Sequence, residues 1–215
     1  ERGAKLAQLP LDPQGAATIL FGAEHGDAER AARIALLLQE RSLGGRGEDL
    51  DVRLTRWNGE RGRKAEASRK LASRWARRAQ DLVDVKSAGQ APPPGIHLAA
   101  GRPEFIAKRR DARGEQWIAA GGRGFVLDPT STLARADFIV VGDAQGQAKG
   151  ARITAGMAVE EGDLERWFPE RIERRKLLRW TGERVEARVE RRLGTIVLAQ
   201  GPDPDPDTDA IVDML

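Results

Sequence analysis

The sequence predicts an α+β protein, in which a helical first part is followed by a mostly antiparallel β part that closes into a small barrel with an inserted helix. Three observations predict it. Apolar residues recur at helical spacing up to residue 86. The proline-rich residues 87–95 (SAGQAPPPG) cannot continue a helix and indicate a linker. From residue 96 the apolar runs shorten to strand length between glycine turns. The predicted domains are therefore residues 1–86 and 96–215.

The first part contains three short helical patterns. Residues 16–24 (AATILFGAE) form the first. The second, GDAERAARIALLLQERS, carries Asp27 as a candidate N-cap, and its Glu29 and Arg33 are spaced for an ion pair. The third, EDLDVRLTRWNG, places two leucines and Trp57 on one side. Each pattern has one apolar face, which is typical of helices packed on a common core.

A fourth, longer and strongly basic helix is expected after residue 60. Residues 61–78 hold eight basic residues and one acid, Glu66. An apolar stripe runs through Ala67, Leu71, Trp75, Ala79 and Leu82. Two interpretations stay open for its polar side: an ordinary solvated face, or a surface that lines the path of a nucleic-acid strand or docks on another domain. The residues of this candidate basic face are Arg63, Lys70, Arg74 and Arg77.

The second part reads as short strands. QWIAAGGRGFVL predicts a hairpin around Gly121–Gly122, and DFIVVGDAQGQAKGARITAGMAV predicts a second hairpin. EEGDLERWFPERIERRK favours a helix interrupted by Pro169, and RVEARVERRLGTIVLAQ alternates like a half-exposed strand. The acidic, proline-rich GPDPDPDTDA predicts an extended strap.

No catalytic chemistry is predicted for this chain. It lacks a phosphate-binding glycine motif, and its two histidines, His25 and His97, lie in separate segments, so no metal site is predicted. The absence of cysteine excludes disulfides and thiolate ligands and fits a reducing compartment. No apolar run approaches the ~20 residues that span a bilayer. Because it begins at Glu1 and contains only two methionines, we expect the chain to be a piece of a longer protein.

Residues 95–129 (GIHLAAGRPEFIAKRRDARGEQWIAAGGRGFVLDP) resemble the start of the C-terminal region of bacterial HrpB-type ATP-dependent helicases of the DEAH/RHA group. RPEFIAKRR and QWIAAGGRGFVL correspond to two motifs of that family. Glu104–Phe105 replaces the usual Asp-Arg, and Gly121–Gly122 replaces the usual Asn-Gly. The resemblance extends to ERGAKLAQLPLDPQGAATILFGAE, to ALLLQERSLGGRGEDLDVRL and to most of the sequence after residue 137.

The resemblance implies a helical helicase-associated bundle and an OB-like barrel with an HrpB-type extension. It implies a non-catalytic accessory module of a bacterial RNA helicase, a hydrolase whose ATP and Mg would bind to motor domains that are missing here. The implied partners are single-stranded RNA or DNA and those motor domains, with no membrane, in the cytoplasm. The alternative is a scaffold that docks acidic partners or the motor without contacting nucleic acid.

Five residues within the stretch 104–125, which ends in the first predicted hairpin, are candidates for nucleic-acid binding: Lys108, Arg109, Arg110, Trp117 and Arg123. The resemblance places a basic pair and a glycine-held arginine here, and cations contact phosphates without reading sequence. For the basic triplet the alternative is a charged helix end. An indole can stack a base, but core packing is the favoured interpretation for Trp117.

Overall fold

The computed structural model describes residues 2–85, 90–147, 150–182 and 185–207. Within these ranges the chain forms seven α-helices, a closed five-stranded barrel and a separate three-stranded sheet. The predicted α+β class, with helices first and mostly antiparallel strands second, is therefore confirmed.

The helical part begins with six helices: α1 (Arg2–Leu6), α2 (Pro13–Glu24), α3 (Ala28–Gln39), α4 (Leu50–Gly59), α5 (Arg63–Gln80) and α6 (Pro94–Gly101). The three short patterns correspond to α2, α3 and α4, and the long basic helix is α5. The predicted ion pair between Arg33 and Glu29 forms at 3.1 Å. Trp57 on α4 is fully buried, so the apolar side of this helix faces the core as predicted.

Two details of the helices differ from expectation. Asp27 precedes α3 but makes no side-chain cap, because its carboxylate lies 2.9 Å from Nε2 of the fully buried His97. Ala67 is exposed, since successive steps of four residues rotate by about 40° each on a helix of 3.6 residues per turn. The buried stripe of α5 instead runs through Ala65, Ala72, Trp75, Ala76 and Ala79.

Helix α6 lies where the linker was predicted to end. Residues 87–89 of that linker fall outside the described residues, whereas Pro94 and Gly95 already belong to α6. A Cβ on Gly95 would lie 2.3 Å from the Ala158 carbonyl oxygen. The helix therefore touches the barrel directly, and it also packs against α2 and α3. The predicted domain limits stay a prediction.

The barrel consists of β1 (Ile106–Arg109), β2 (Gln116–Ala119), β3 (Gly124–Val126), β4 (Phe138–Gln145) and β5 (Ala151–Val159). Its strand order is β1-β2-β3-β5-β4, closed by β1 against β4. All pairs are antiparallel except β3 with β5. Both predicted hairpins are confirmed as β2–β3 and β4–β5. Gly122 turns the first hairpin at φ +85°, a conformation that glycine adopts without steric cost.

Apolar side chains fill the barrel and also cover one side of it. Trp117, Phe125 and Ile139 belong to the interior cluster. Ile106 and Phe138 point outward into a larger cluster that includes the helices. Because side chains alternate along a strand, those on one face fill the barrel interior and those on the other pack into the larger cluster. The helices and the barrel share that larger cluster.

The loop before α4 ties the helical part to the barrel. The Asp49 carboxylate caps α4 and accepts a hydrogen bond from Thr132 Oγ1 at 2.6 Å. Next to it, the Gly156 N–H donates to the Glu48 carbonyl at 2.8 Å. These contacts position α4 and α5 relative to the barrel.

The last part adds helix α7 (Glu161–Trp167) and strands β6 (Ile172–Trp180), β7 (Val185–Leu193) and β8 (Ile196–Pro202), paired in that order. The predicted helix is wrong beyond Trp167: a 3-10 turn at Pro169–Arg171 follows, and β6 begins at Ile172. Proline cannot donate to a helix ladder, and the following residues pair with β7. The predicted strand over β7 is confirmed. Of the predicted strap over residues 201–210, the first two residues end β8, residues 203–207 have no regular structure and bend at 204 and 205, and residues 208–210 lie outside the described residues.

Candidate nucleic-acid interface

Four cations form a straight row on α5, here called the α5 row: Arg63, Lys70, Arg74 and Arg77. Their spacings of seven, four and three residues keep them on one helix face. At 1.5 Å per residue the row is about 21 Å long. All four side chains are exposed. None of them has an ion pair or hydrogen bond with the residues that the structure describes.

Two acids lie close to the α5 row in sequence or in space. Glu66, on α5 itself, follows Arg63 by three residues and precedes Lys70 by four, but it makes no ion pair with either among the described residues. Glu29 on α3 accepts hydrogen bonds from Ser73 and Arg33 instead. Arg69 points away and donates to the carbonyls of Trp57 and Glu60. The small Ala67 leaves a shallow depression that Lys70, Ser73, Arg74 and Arg77 line. The row is therefore a rigid strip of positive charge with space beside it.

The basic triplet of the barrel lies at the end of strand β1, so the alternative of a charged helix end does not apply. Lys108 Nζ donates to the Val197 carbonyl on β8 at 2.9 Å and lies 5.5 Å from the centre of the Phe138 ring. Arg109 pairs with Asp137 at 2.7 Å. Both side chains thus have partners within the protein.

Arg110 and Arg123 have fewer partners. Arg110 is exposed, and its side chain makes no hydrogen bond or ion pair with the described residues. The Arg123 guanidinium lies 5.0 Å from the Phe125 ring centre, and its Nε is buried without a partner among those residues. Across the sheet, Arg109 lies opposite Trp117 on β2, and Trp117 lies opposite Phe125 on β3. Arg123 precedes Phe125 by two residues, so it is displaced along the sheet from Arg109. The cations of β1 and of the glycine turn therefore do not form one continuous row.

Trp117 is a core residue. It is 1% exposed, inside the barrel, and its Nε1 donates to the Gly114 carbonyl at 2.7 Å. No face of the indole is open to a base. Core packing, the interpretation that the sequence favoured for Trp117, is the one observed. In this structure Trp117 cannot stack on a nucleic-acid base.

A further group of cations lies on β6, whose first five residues, 172–176, were predicted to be helical. Arg174, Arg175 and Arg179 are exposed and make no ion pair among the described residues. Trp180, at the end of the strand, is 46% exposed. The alternation of Leu178 and Trp180 with Arg179 carries the strand signal, but the nearby Glu and Arg residues favoured a helix.

The structure brings no cluster of metal ligands together: no group of three His, Asp or Glu side chains suited to a metal exists among the described residues. None of the described helices is both long enough and apolar enough to cross a bilayer.

No protein-family model and no curated protein matches this chain. Among solved structures, the E. coli DExH-box NTPase HrpB matches with a TM-score of 0.77 and 25% identity over 97% of this chain. The resemblance to the C-terminal region of HrpB-type helicases is confirmed. A second structure, the E. coli DEAH/RHA helicase HrpB, matches with a TM-score of 0.73 and 24% identity, again over 97% of this chain. The present chain spans 25% of the length of each of those chains.

Proposed function

We propose that this helicase-associated module guides single-stranded nucleic acid along the α5 row and packs on the motor domains of an ATP-dependent RNA helicase. The chain itself is proposed to be non-catalytic, with ATP and Mg bound by the motor domains. The observation that carries the proposal is the α5 row, four unpaired cations on one rigid helix face. Such a row contacts phosphates, so binding would be largely electrostatic and tolerant of sequence.

The topology of the barrel supports the nucleic-acid half of this proposal. A five-stranded barrel with the order β1-β2-β3-β5-β4 and a parallel β3–β5 pair is compatible with an OB-like fold, a class that binds oligonucleotides. Arg110 and Arg123 lie on this barrel and would extend the electrostatic surface. Lys108 and Arg109 contribute less, because Val197 and Asp137 already engage them.

The decisive experiment replaces all four residues of the α5 row by glutamine in the full chain and measures binding of single-stranded oligouridylate against salt concentration. Each lost phosphate contact lowers the slope of log K against log salt by about 0.7. The slope should therefore fall by about 3, and the affinity near 0.1 M salt should fall roughly 100–1,000-fold.

A matched control removes four exposed cations that already have ion-pair partners: Arg30, Arg41, Arg152 and Arg188. This variant has the same net charge as the α5 variant and should retain most of the affinity. Equal losses in both variants would mean that net charge alone drives binding, and the α5 row would have no special role.

A smaller effect is expected at the barrel. Arg110→Gln and Arg123→Gln should each weaken oligouridylate binding by a few-fold, about one phosphate contact. Lys108→Gln should leave this affinity almost unchanged and instead lower the free energy of unfolding by about 1 kcal/mol, since it removes the bond to Val197. A larger affinity loss for Lys108→Gln than for Arg110→Gln would contradict this order.

The scaffold hypothesis predicts a different pattern. There the α5 row would meet an acidic surface of the motor domains and no nucleic acid. If the α5 variant binds oligouridylate normally in the presence of the motor domains but no longer associates with them, the scaffold function replaces the proposed one.

A further inference from the structure

Strand β6 is an open edge of the three-stranded sheet. It is nine residues long and its strand neighbour is β7. Among the described residues no backbone hydrogen bond reaches it from the other side. A row of backbone N–H and C=O groups of this kind is a template for an added strand.

The charged residues of β6 are mostly positive. The strand carries Arg174, Arg175, Lys176 and Arg179 against one acid, Glu173. Because side chains alternate along a strand, Arg174 and Lys176 lie on one face of the sheet and Arg175 and Arg179 on the other. An added strand would therefore meet positive charge on both of its faces.

The chain itself shows which chemistry β6 accepts. After β8, the Asp203 N–H donates to the Ala187 carbonyl of β7 at 3.0 Å, and the chain then bends at residues 204 and 205. Lys176 Nζ lies 3.3 Å from the Asp203 carboxylate and 3.9 Å from that of Asp205, and it also bonds the Asp205 carbonyl. Two aspartates of the chain's own C-terminal segment thus already pair with one β6 cation, while Arg174, Arg175 and Arg179 have no ion pair among the described residues.

We propose that the β6 edge binds an extended, acidic peptide segment of a partner protein as an additional strand. The partner's backbone would pair with the open edge, and its carboxylates would pair with Arg174, Arg175 and Arg179. The 46% exposed Trp180 would cover an apolar side chain of the partner. A second copy of β6 is a poorer occupant, because its own four cations would lie against these ones.

Nucleic acid would also match the positive charge of β6, but it could not pair with the open backbone edge. A phosphate backbone lacks the alternating N–H and C=O groups of a strand, so it leaves the outer hydrogen-bonding groups of β6 unpaired. The edge pairing is therefore the feature that separates the two kinds of partner.

The test uses the full chain and a capped peptide of alternating aspartate and valine, about as long as β6. Wild type should bind this peptide and not the matched lysine–valine peptide. Charge reversal at Arg174, Arg175 and Arg179 should weaken binding by about tenfold or more, as expected for three surface ion pairs. Charge reversal at Arg63, Lys70 and Arg74, a matched change on α5, should leave peptide binding unchanged.

Amide hydrogen exchange reports the pairing itself: the peptide should slow exchange at alternate residues of β6. Asp203→Asn with Asp205→Asn, which frees Lys176, should tighten peptide binding. The β6 variant must keep the wild-type unfolding midpoint and bind oligouridylate normally. Peptide binding without protection of β6, or loss of oligouridylate in place of the peptide, would overturn the proposal and leave the function of the α5 row untouched.

Discussion

Replacing Arg53 by methionine is expected to lower the free energy of unfolding by about 3–5 kcal/mol. Arg53 is 4% exposed, and its guanidinium donates to the carbonyls of Leu37, Glu40, Arg41 and Leu43 at 3.2–3.4 Å. Burial lowers the pKa of Arg53, and the four carbonyls offset the cost of removing the guanidinium from water. Methionine would fill the space of the stem but donate no hydrogen bond. The carbonyls of Leu37, Arg41 and Leu43 would lose the donor that Arg53 provides, whereas the Glu40 carbonyl would keep the Leu43 N–H at 3.0 Å.

The matched control is Arg56→Met on the same helix. Arg56 is exposed and makes one hydrogen bond, to the Arg46 carbonyl at 3.3 Å. Its loss should change the free energy of unfolding by no more than about 0.5 kcal/mol. Urea unfolding followed by tryptophan fluorescence measures both, and equal slopes against urea would show that the unfolded states are comparable. A loss below about 1 kcal/mol for Arg53→Met would mean that water replaces the guanidinium.

The role of Arg53 could not be predicted from its local sequence. It lies between Leu50, Leu54 and Trp57, and the periodicity of α4 marks those apolar residues and nothing else. The carbonyls that it binds lie in the last turn of α3 and in the loop that follows, and Gly44 lies against Arg53 with φ +69°. A side chain at that glycine would lie 2.1 Å from the Arg53 carbonyl oxygen. Only the folded loop brings these groups together.

Local pattern predicted well where one physical signal dominated. Short apolar runs on either side of glycine-containing turns predicted both hairpins, and the charge of α5 predicted its exposed face. Prediction failed at β6, because Arg and Glu residues that favour a helix follow α7 directly, and pairing with β7 decides the structure instead. Strand pairing is a long-range effect that a short window does not contain.

The candidate site was only partly predictable for the same reason. Exposed charge on α5 follows from helical spacing alone, so Arg63, Lys70, Arg74 and Arg77 could be chosen from the sequence. The state of Lys108 and Arg109 depends on Val197 and Asp137, of which Val197 is 89 residues away along the chain. A basic triplet in the sequence therefore does not tell which of its cations are free.

Trp117→Ala should destabilise the chain by about 3–5 kcal/mol, as large-to-small changes of a buried tryptophan do. The side chain is 1% exposed among Phe125, Ile139 and the other interior residues of the barrel. Alanine would leave a cavity and would also remove the donor of the Gly114 carbonyl. Thermal and urea unfolding of the variant measure this loss.

Trp180→Ala provides the contrast within the same chain, since Trp180 is 46% exposed at the end of β6. It should cost less than about 0.5 kcal/mol and weaken binding of the acidic peptide. Trp117→Phe isolates the hydrogen bond, because phenylalanine keeps most of the packing and lacks the N–H group, so it should cost about 1–3 kcal/mol. The contrary result would be a Trp117→Phe variant with full stability and no oligouridylate binding. It would mean that the indole reaches the nucleic acid in a different conformation, for which the barrel core would have to open.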